Sequence, residues 1–269
     1  MLKSNFEPHI FTDSLFPFHL DKTVINKFYS GPLNWHLNIE LIYCISGSGM
    51  VICDTRKQNI STNEIVVVNS QVSHGVYTNS DMEYYYLIID DEFCQQNGIS
   101  STELNFLEHI SNSRISKSFL EIADAVNSRS GYPANIKYAI IRCAVLRLLI
   151  LLCEEYTTNN IDRSVDNNIA FSRIKDTMIY IQNNYAEQLT LDVISSHVGV
   201  CKNHLSRIFK EYTNMTIVEY INYTRCKYAQ MHILNNDSIA LAASSCGFNN
   251  LSYFSRTYKK YIGRLPSQT

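Results

Sequence analysis

Arg207 and Arg256 occupy matching places in two segments that repeat at an offset of 49 residues, LSRIFKEYTN (205–214) and FSRTYKKYIG (254–263). The pairs Ser206/Ser255, Lys210/Lys259 and Tyr212/Tyr261 are also identical, and Leu205/Phe254 and Phe209/Tyr258 keep apolar or aromatic character. Residues four apart share one face of a helix, so Leu205 with Phe209, and Phe254 with Tyr258, point inward. The arginine between them then points outward. A guanidinium held this way can donate two hydrogen bonds to a guanine edge in the major groove, whereas neighbouring Ser, Asn and Lys are equally suited to phosphates.

Positioning such an arginine requires a second helix packed closely behind the first. The repeat continues upstream at an offset of 48, pairing Ser195 with Ala243, Gly199 with Gly247 and Val200 with Phe248. The small residue permits close helix approach, and the glycine permits the turn between the helices. Asn214 falls opposite Gly263, the two residue types that most readily adopt the left-handed conformation ending a helix. Each repeat therefore predicts helix, turn, helix. The charge distribution agrees, because the chain from Ala170 onward carries 11 Lys/Arg against 6 Asp/Glu, leaving 12 against 19 for the rest. The basic end is the nucleic-acid candidate.

At 269 residues the chain predicts two domains of an α+β protein. Between Thr23 and Asp90, short β-rich runs such as LIYCISGSGMVICDTRKQNIS, EIVVVN and YYYLIID predict a small barrel or jelly roll, with a hairpin at Gly47–Gly49. After Gly98 the period becomes helical, through Leu104, Leu107 and Ile110 and then Phe119, Ile122, Ala123 and Val126. The expected organisation is a sensing and dimerisation domain over 1–158 (barrel 1–98, helices 100–157), a polar linker over 159–169, and an all-α domain over 170–269. The apolar stretch from Ile136 to Cys153 is interrupted by Lys137, Arg142 and Arg147, which argues against a membrane span. Its Ile140, Leu148 and Leu151 are candidate homodimer contacts, with an intradomain core helix as the alternative. The N-terminus lacks the pattern of a signal peptide, and the eight cysteines form no CxxC pair, so reduced thiols in a cytoplasmic protein are expected.

On these residues the C-terminal hundred residues, Ala170 to Ser267, resemble the AraC/XylS family of bacterial transcription regulators. GFNNLSYFSRTYKKYIGRLP is similar to that family's second helix-turn-helix signature, Arg225 and Ala229 fit its linking helix, and Gly263 with Pro266 fits its closing GxxP. The resemblance implies a cytoplasmic, nucleoid-associated regulator whose partners are double-stranded promoter DNA, RNA polymerase, a small-molecule effector and a second copy of the chain. It places Lys202, Asn203, Ser206, Arg207 and Lys210 on the first recognition face, and Asn250, Leu251, Ser252, Ser255, Arg256 and Lys259 on the second. A linking helix near Val218–Leu234 would set the two about 34 Å apart, one DNA turn. The chain departs from the family at Ser195, Cys201, Asn214 and Ala242. Cys201 stands where a capping serine is usual, which costs the first unit roughly 1 kcal/mol.

WHLNIELIYCISGSG and VVVNSQVSHGVY are similar to the cupin-type sensor domains attached to many such regulators. The resemblance implies an effector pocket near Trp35, His36, Tyr43 and His74, closed by an N-terminal arm through Phe11, Phe18 or His19. Carboxylates, fatty acids, bicarbonate and sugars remain open as effectors, and virulence regulators are among the family's members. His36, Glu40 and His74 stand near cupin metal-ligand positions. However, Asn38 replaces the second histidine and Glu40 follows too soon, so no metal triad, cofactor or catalytic residue is expected. The alternatives are a cupin-type metalloenzyme with an auxiliary helical domain and a DNA-binding regulator without effector.

Overall fold

The computed structural model describes residues 5–9, 11, 15–100, 104–128, 131–158 and 169–269. It divides into two units, Met1–Ser164 and Val165–Thr269. In chain order the strands of the first are β1 (Asn5–Phe6), β2 (Phe18–Ile25), β3 (Tyr29–Ser30), β4 (Asn34–Trp35), β5 (Ile39–Cys53), β6 (Arg56–Ser61), β7 (Ile65–Val68), β8 (His74–Thr78), β9 (Met82–Ile89) and β10 (His109–Ile110).

Strand β5 carries both sheets of this barrel. Its first half pairs antiparallel with β7 and β9, and its second half with β6 and β8. The Gly47–Gly49 run, expected to turn a hairpin, instead bends one continuous strand, with an irregularity between Cys44 and Ser46. Gly47 sits at φ +85°, and a Cβ there would lie 2.2 Å from the Asp81 carbonyl oxygen, so only glycine lets the strand change sheets here.

Side chains alternate across β5, which divides the apolar residues into two cores. Ile42, Cys44, Val51 and Cys53 face the barrel interior with Val66, Val68, Val76 and Met82. Ile39, Leu41 and Tyr43 face the other way, onto helices. Those helices are α1 (Asp91–Gln96), α2 (Ser113–Asn127) and α3 (Ala134–Glu155). With both faces covered, all four residues of β7 are buried.

Two expectations about helices need correction in this unit. Leu104, Leu107 and Ile110 do not share a helix: Ile110 pairs with Ile65 in β10, and Leu107 is largely exposed. Leu148 and Leu151 cannot serve as dimer contacts, because α3 buries both in the core under β5. Ile140 alone of the three candidates is exposed, with Ile136 and Ile150 on the same stripe of α3.

The second unit is all helical: α4 (Ile169–Asn184), α5 (Leu191–Val198), α6 (Lys202–Thr213), α7 (Ile217–Leu234), α8 (Ile239–Ser245) and α9 (Leu251–Ile262), closed by a 3-10 turn at Pro266–Gln268. The linker expected over 159–169 lies outside the described residues, except that Ile169 opens α4. Helix α7 is held by Arg225, whose guanidinium donates to the carbonyls of Tyr185 and Glu187 at 2.8 Å each beyond the end of α4. Among the described residues, no helix is long and apolar enough to cross a membrane.

Candidate functional site: nucleic-acid interface and sensor cavity

The two sequence repeats fold as the same object. Positions 201–210 and 250–259 carry one identical order of buried, half-buried and exposed residues, as do 191–198 and 239–246. In each second helix the inward pair is fully buried, Leu205 with Phe209 and Phe254 with Tyr258. Gly199 and Gly247 turn the chain between helices at φ +69° and +79°, and Asn214 and Gly263 end α6 and α9 in the left-handed region.

The residues expected on the recognition faces lie outward in both units. Lys202, Asn203, Arg207 and Lys210 are exposed on α6, as are Asn250, Leu251, Ser252, Arg256 and Lys259 along α9, while Ser206 and Ser255 are half-buried. Their partners differ. Arg207 lies 3.5 Å from the Glu211 carboxylate and bonds the ring of His204, whereas Arg256 donates to the Ser252 carbonyl at 3.3 Å. Lys202 pairs with Asp192 at 2.9 Å. The guanidinium on α6 thus stands beside an anion, whereas the one on α9 is held by a backbone carbonyl.

Helix caps separate the units as well. Thr190, Thr216, Ser238 and Asn250 each accept a backbone N–H at the start of α5, α7, α8 and α9. Cys201, at the start of α6, caps nothing with its side chain. Asn250 therefore has a capping duty that the sequence did not reveal, its Oδ1 accepting from Tyr253 N at 2.8 Å. Tyr253 in turn accepts from Asn222 of α7, fixing α9 against the linking helix.

In the barrel, a cavity of about 360 Å³ is lined by His9, His19, Tyr29, Asn34, Glu40, His74, Tyr84 and Tyr86 among others. Of the expected effector residues, His19 and His74 line it. Tyr43 does not, since it stacks on Phe119 in the helix-covered core; counting by twos from Glu40 places Tyr43 on the opposite face of β5. Trp35 is fully buried against Phe6, Phe18 packs on Phe93, and Phe11 lies beside His9 rather than on the cavity wall. The wall residues Tyr84 and Tyr86 were legible in the alternation of MEYYYLII, whereas His9 arrives by long-range docking of β1 beside β4.

Three residues whose spacing argued against a metal triad nevertheless converge. His36, Glu40 and His74 present ligand atoms within 4.8 Å of one another, and all three are buried. The bend after His36 folds its ring back over the start of β5, so a four-residue spacing that looks too short brings it to Glu40. Burial alone would raise the Glu40 carboxyl, but the charge and hydrogen bond of His74 and the hydrogen bond of His36 outweigh it and hold it well below the usual range. Burial likewise opposes a charge on His74, but Glu40 wins and raises it. His9 is pushed down to about 3, first by burial and then by His36.

Comparison with known proteins follows the same division. A model of the AraC-like ligand binding domain matches residues 22–141, and one of a helix-turn-helix domain matches 194–269. The HTH-type transcriptional activator AarP of Providencia stuartii is 32% identical over 97 residues, which cover 36% of this chain and 72% of that protein. The chain belongs to the AraC/XylS family of transcription regulators. It is a DNA-binding transcription regulator carrying a ligand-binding domain. The Msm operon regulatory protein of Streptococcus mutans is 22% identical over 234 residues, 86% of this chain and 83% of its own. A solved structure of ToxT from Vibrio cholerae shares 15% identity over 94% of this chain and 97% of that one, with a TM-score of 0.43.

Proposed function

We propose that this AraC/XylS regulator reads two successive major-groove segments with α6 and α9, and that a small polar effector in the barrel cavity controls its occupancy of DNA. The observation that carries the first part is the identical burial order of the two recognition helices, which presents Arg207 and Arg256 outward from equivalent scaffolds. Lys202, Asn203, Ser206 and Lys210, and Asn250, Leu251, Ser252, Ser255 and Lys259, flank them as phosphate and base contacts. Helix α7, of 18 residues, is about 27 Å long and joins the two units. One subunit then reads an asymmetric site whose halves lie about 34 Å apart.

The cavity supports a compact, hydroxylated or anionic effector. Its wall presents tyrosine hydroxyls, imidazoles, an amide and two carboxylates, which match a small polar ligand such as a sugar or small carboxylate better than an extended fatty acyl chain. The exposed stripe Ile136, Ile140 and Ile150 of α3 is the dimer face in this reading. Activation of transcription through RNA polymerase is proposed with it, in keeping with AarP being a transcriptional activator.

Hydroxyl-radical footprinting on the bound promoter tests the proposal. Two protected segments one turn apart per subunit are expected, with protection altered by a sugar or small carboxylate that also raises the melting temperature. A single protected segment that survives loss of Arg256 overturns the two-helix reading.

A further inference from the structure

At the cluster His36, Glu40 and His74, three lone-pair atoms converge. The Nδ1 atoms of His36 and His74 lie 3.2 and 3.0 Å from the carbonyl oxygens of Asn38 and Val72. A carbonyl only accepts, so each Nδ1 carries the ring proton, and in neutral imidazole each Nε2 is then an acceptor. Both Nε2 atoms point at the same carboxylate oxygen, Oε2 of Glu40, at 3.0 and 2.9 Å. Neutral rings and a carboxylate arranged this way repel unless a cation lies among them.

Two protons, one on each ring, would serve, but they place two buried imidazoliums side by side with His9 edge-on to His36 at 4.9 Å. A single divalent ion satisfies all three donors at once. Donors bound tetrahedrally at 2.0 to 2.1 Å from zinc stand roughly 3.3 Å apart; the two histidine nitrogens lie 3.0 and 2.9 Å from Glu40 Oε2, and all three donor atoms fall within 4.8 Å of one another, so closing on one ion takes a side-chain adjustment of about 1 Å at most, with no change of strand register. The carbonyl partners of Nδ1 are the outer hydrogen bonds that orient metal-binding histidines. Two imidazoles and one carboxylate suit a divalent transition ion, not the all-oxygen coordination of calcium or magnesium. Glu40 and His74 also line the cavity, so a fourth position is open toward it.

We propose that His36, Glu40 and His74 bind one divalent transition-metal ion, with a coordination position open to the barrel cavity. This site is independent of the DNA-binding reading and stands whether or not an organic effector enters.

The test uses the full chain, stripped by a chelator, kept reduced and titrated with Co²⁺ and then with Zn²⁺ in competition. One equivalent of Co²⁺ per chain is expected, with d–d absorption and no thiolate charge-transfer band. Glu40→Gln keeps the side-chain shape and should weaken binding by at least the roughly 100-fold that even outer partners of a metal site command. X-ray absorption on the wild-type zinc form needs no variant: only N/O donors near 2.0 to 2.1 Å are expected. The proposal is overturned if the wild type retains no more metal than Glu40→Gln, or if sulfur near 2.3 Å appears in the coordination shell. Promoter binding by the same metal-free protein reports separately on the DNA reading, so the two can fail independently.

Discussion

Replacing Cys201 with Ser should stabilise the helical unit. Cys201 holds the N-cap backbone of α6 (φ −64°, ψ 141°) but its side chain accepts nothing there, while the equivalent Asn250 accepts from Tyr253 N at 2.8 Å. A serine hydroxyl at this position reaches the free N–H groups of the first turn, a gain of about 1 kcal/mol. For a unit of about a hundred residues, Val165–Thr269, that gain corresponds to a rise in Tm of roughly 4 °C. Differential scanning calorimetry of the full chain under reducing conditions reads the helical unit's transition directly. Cys201→Ala should leave it near the wild-type value, because there is no cap to lose, and Asn250→Ala should lower it by about as much as Cys201→Ser raises it. If Cys201→Ser melts no higher than Cys201→Ala, the first unit is not limited by its cap and the reasoning fails.

Three further outcomes follow from packing and charge. Gly247→Ala should cost more than Gly199→Ala: both glycines have positive φ, but a Cβ at 247 would lie 2.8 Å from the Ala186 carbonyl oxygen, while at 199 it meets nothing within 4 Å. Urea unfolding should show about 1 kcal/mol of backbone strain for Gly199→Ala and distinctly more for Gly247→Ala. Leu148→Ala should destabilise the barrel unit by about 2 to 5 kcal/mol, whereas Ile140→Asp should leave its Tm within a few degrees and shift sedimentation to monomer; a stable dimer of Ile140→Asp removes α3 as the interface. Glu219 accepts hydrogen bonds from the backbone N–H and hydroxyl of Thr216 and from Lys260, which hold its carboxyl below the usual range. A depressed folded pKa gives stability that is present above the unfolded value near 4.3 and is lost as the pH falls below it. The stability gap between wild type and Glu219→Gln, a few tenths of a kcal/mol at neutral pH for so exposed a group, should therefore close in acid.

The helical unit was legible because its information is local and written twice. The offsets of 48 and 49 residues, the apolar spacing of Leu205 and Phe209, and the paired Asn214 and Gly263 each have a physical counterpart in the fold. The barrel was legible only in outline. Reading Gly47–Gly49 as a hairpin was reasonable for a turn-forming run, but the conformation at Gly47 serves a strand that passes between sheets. The parity of β5 then sent Tyr43 to the helix-covered core, and the depth of the core under α3 took Leu148 and Leu151 away from the surface. His36, Glu40 and His74 were each singled out in the sequence, but their convergence was not legible, for a different reason. They come from the residue before a bend and from two strands, and no spacing along the chain encodes how a bend folds back.

The most direct test of the central claim is the affinity of Arg207→Ala and Arg256→Ala for the regulator's own promoter site and for a scrambled duplex of equal length. Each variant should lose about 1 to 3 kcal/mol of specific binding while retaining most of its affinity for the scrambled duplex. Arg256→Ala should lose more, since Arg207 stands beside Glu211 and starts from an uncapped helix. Wild-type affinity for the promoter in both variants would contradict the assignment of α6 and α9 as the reading helices.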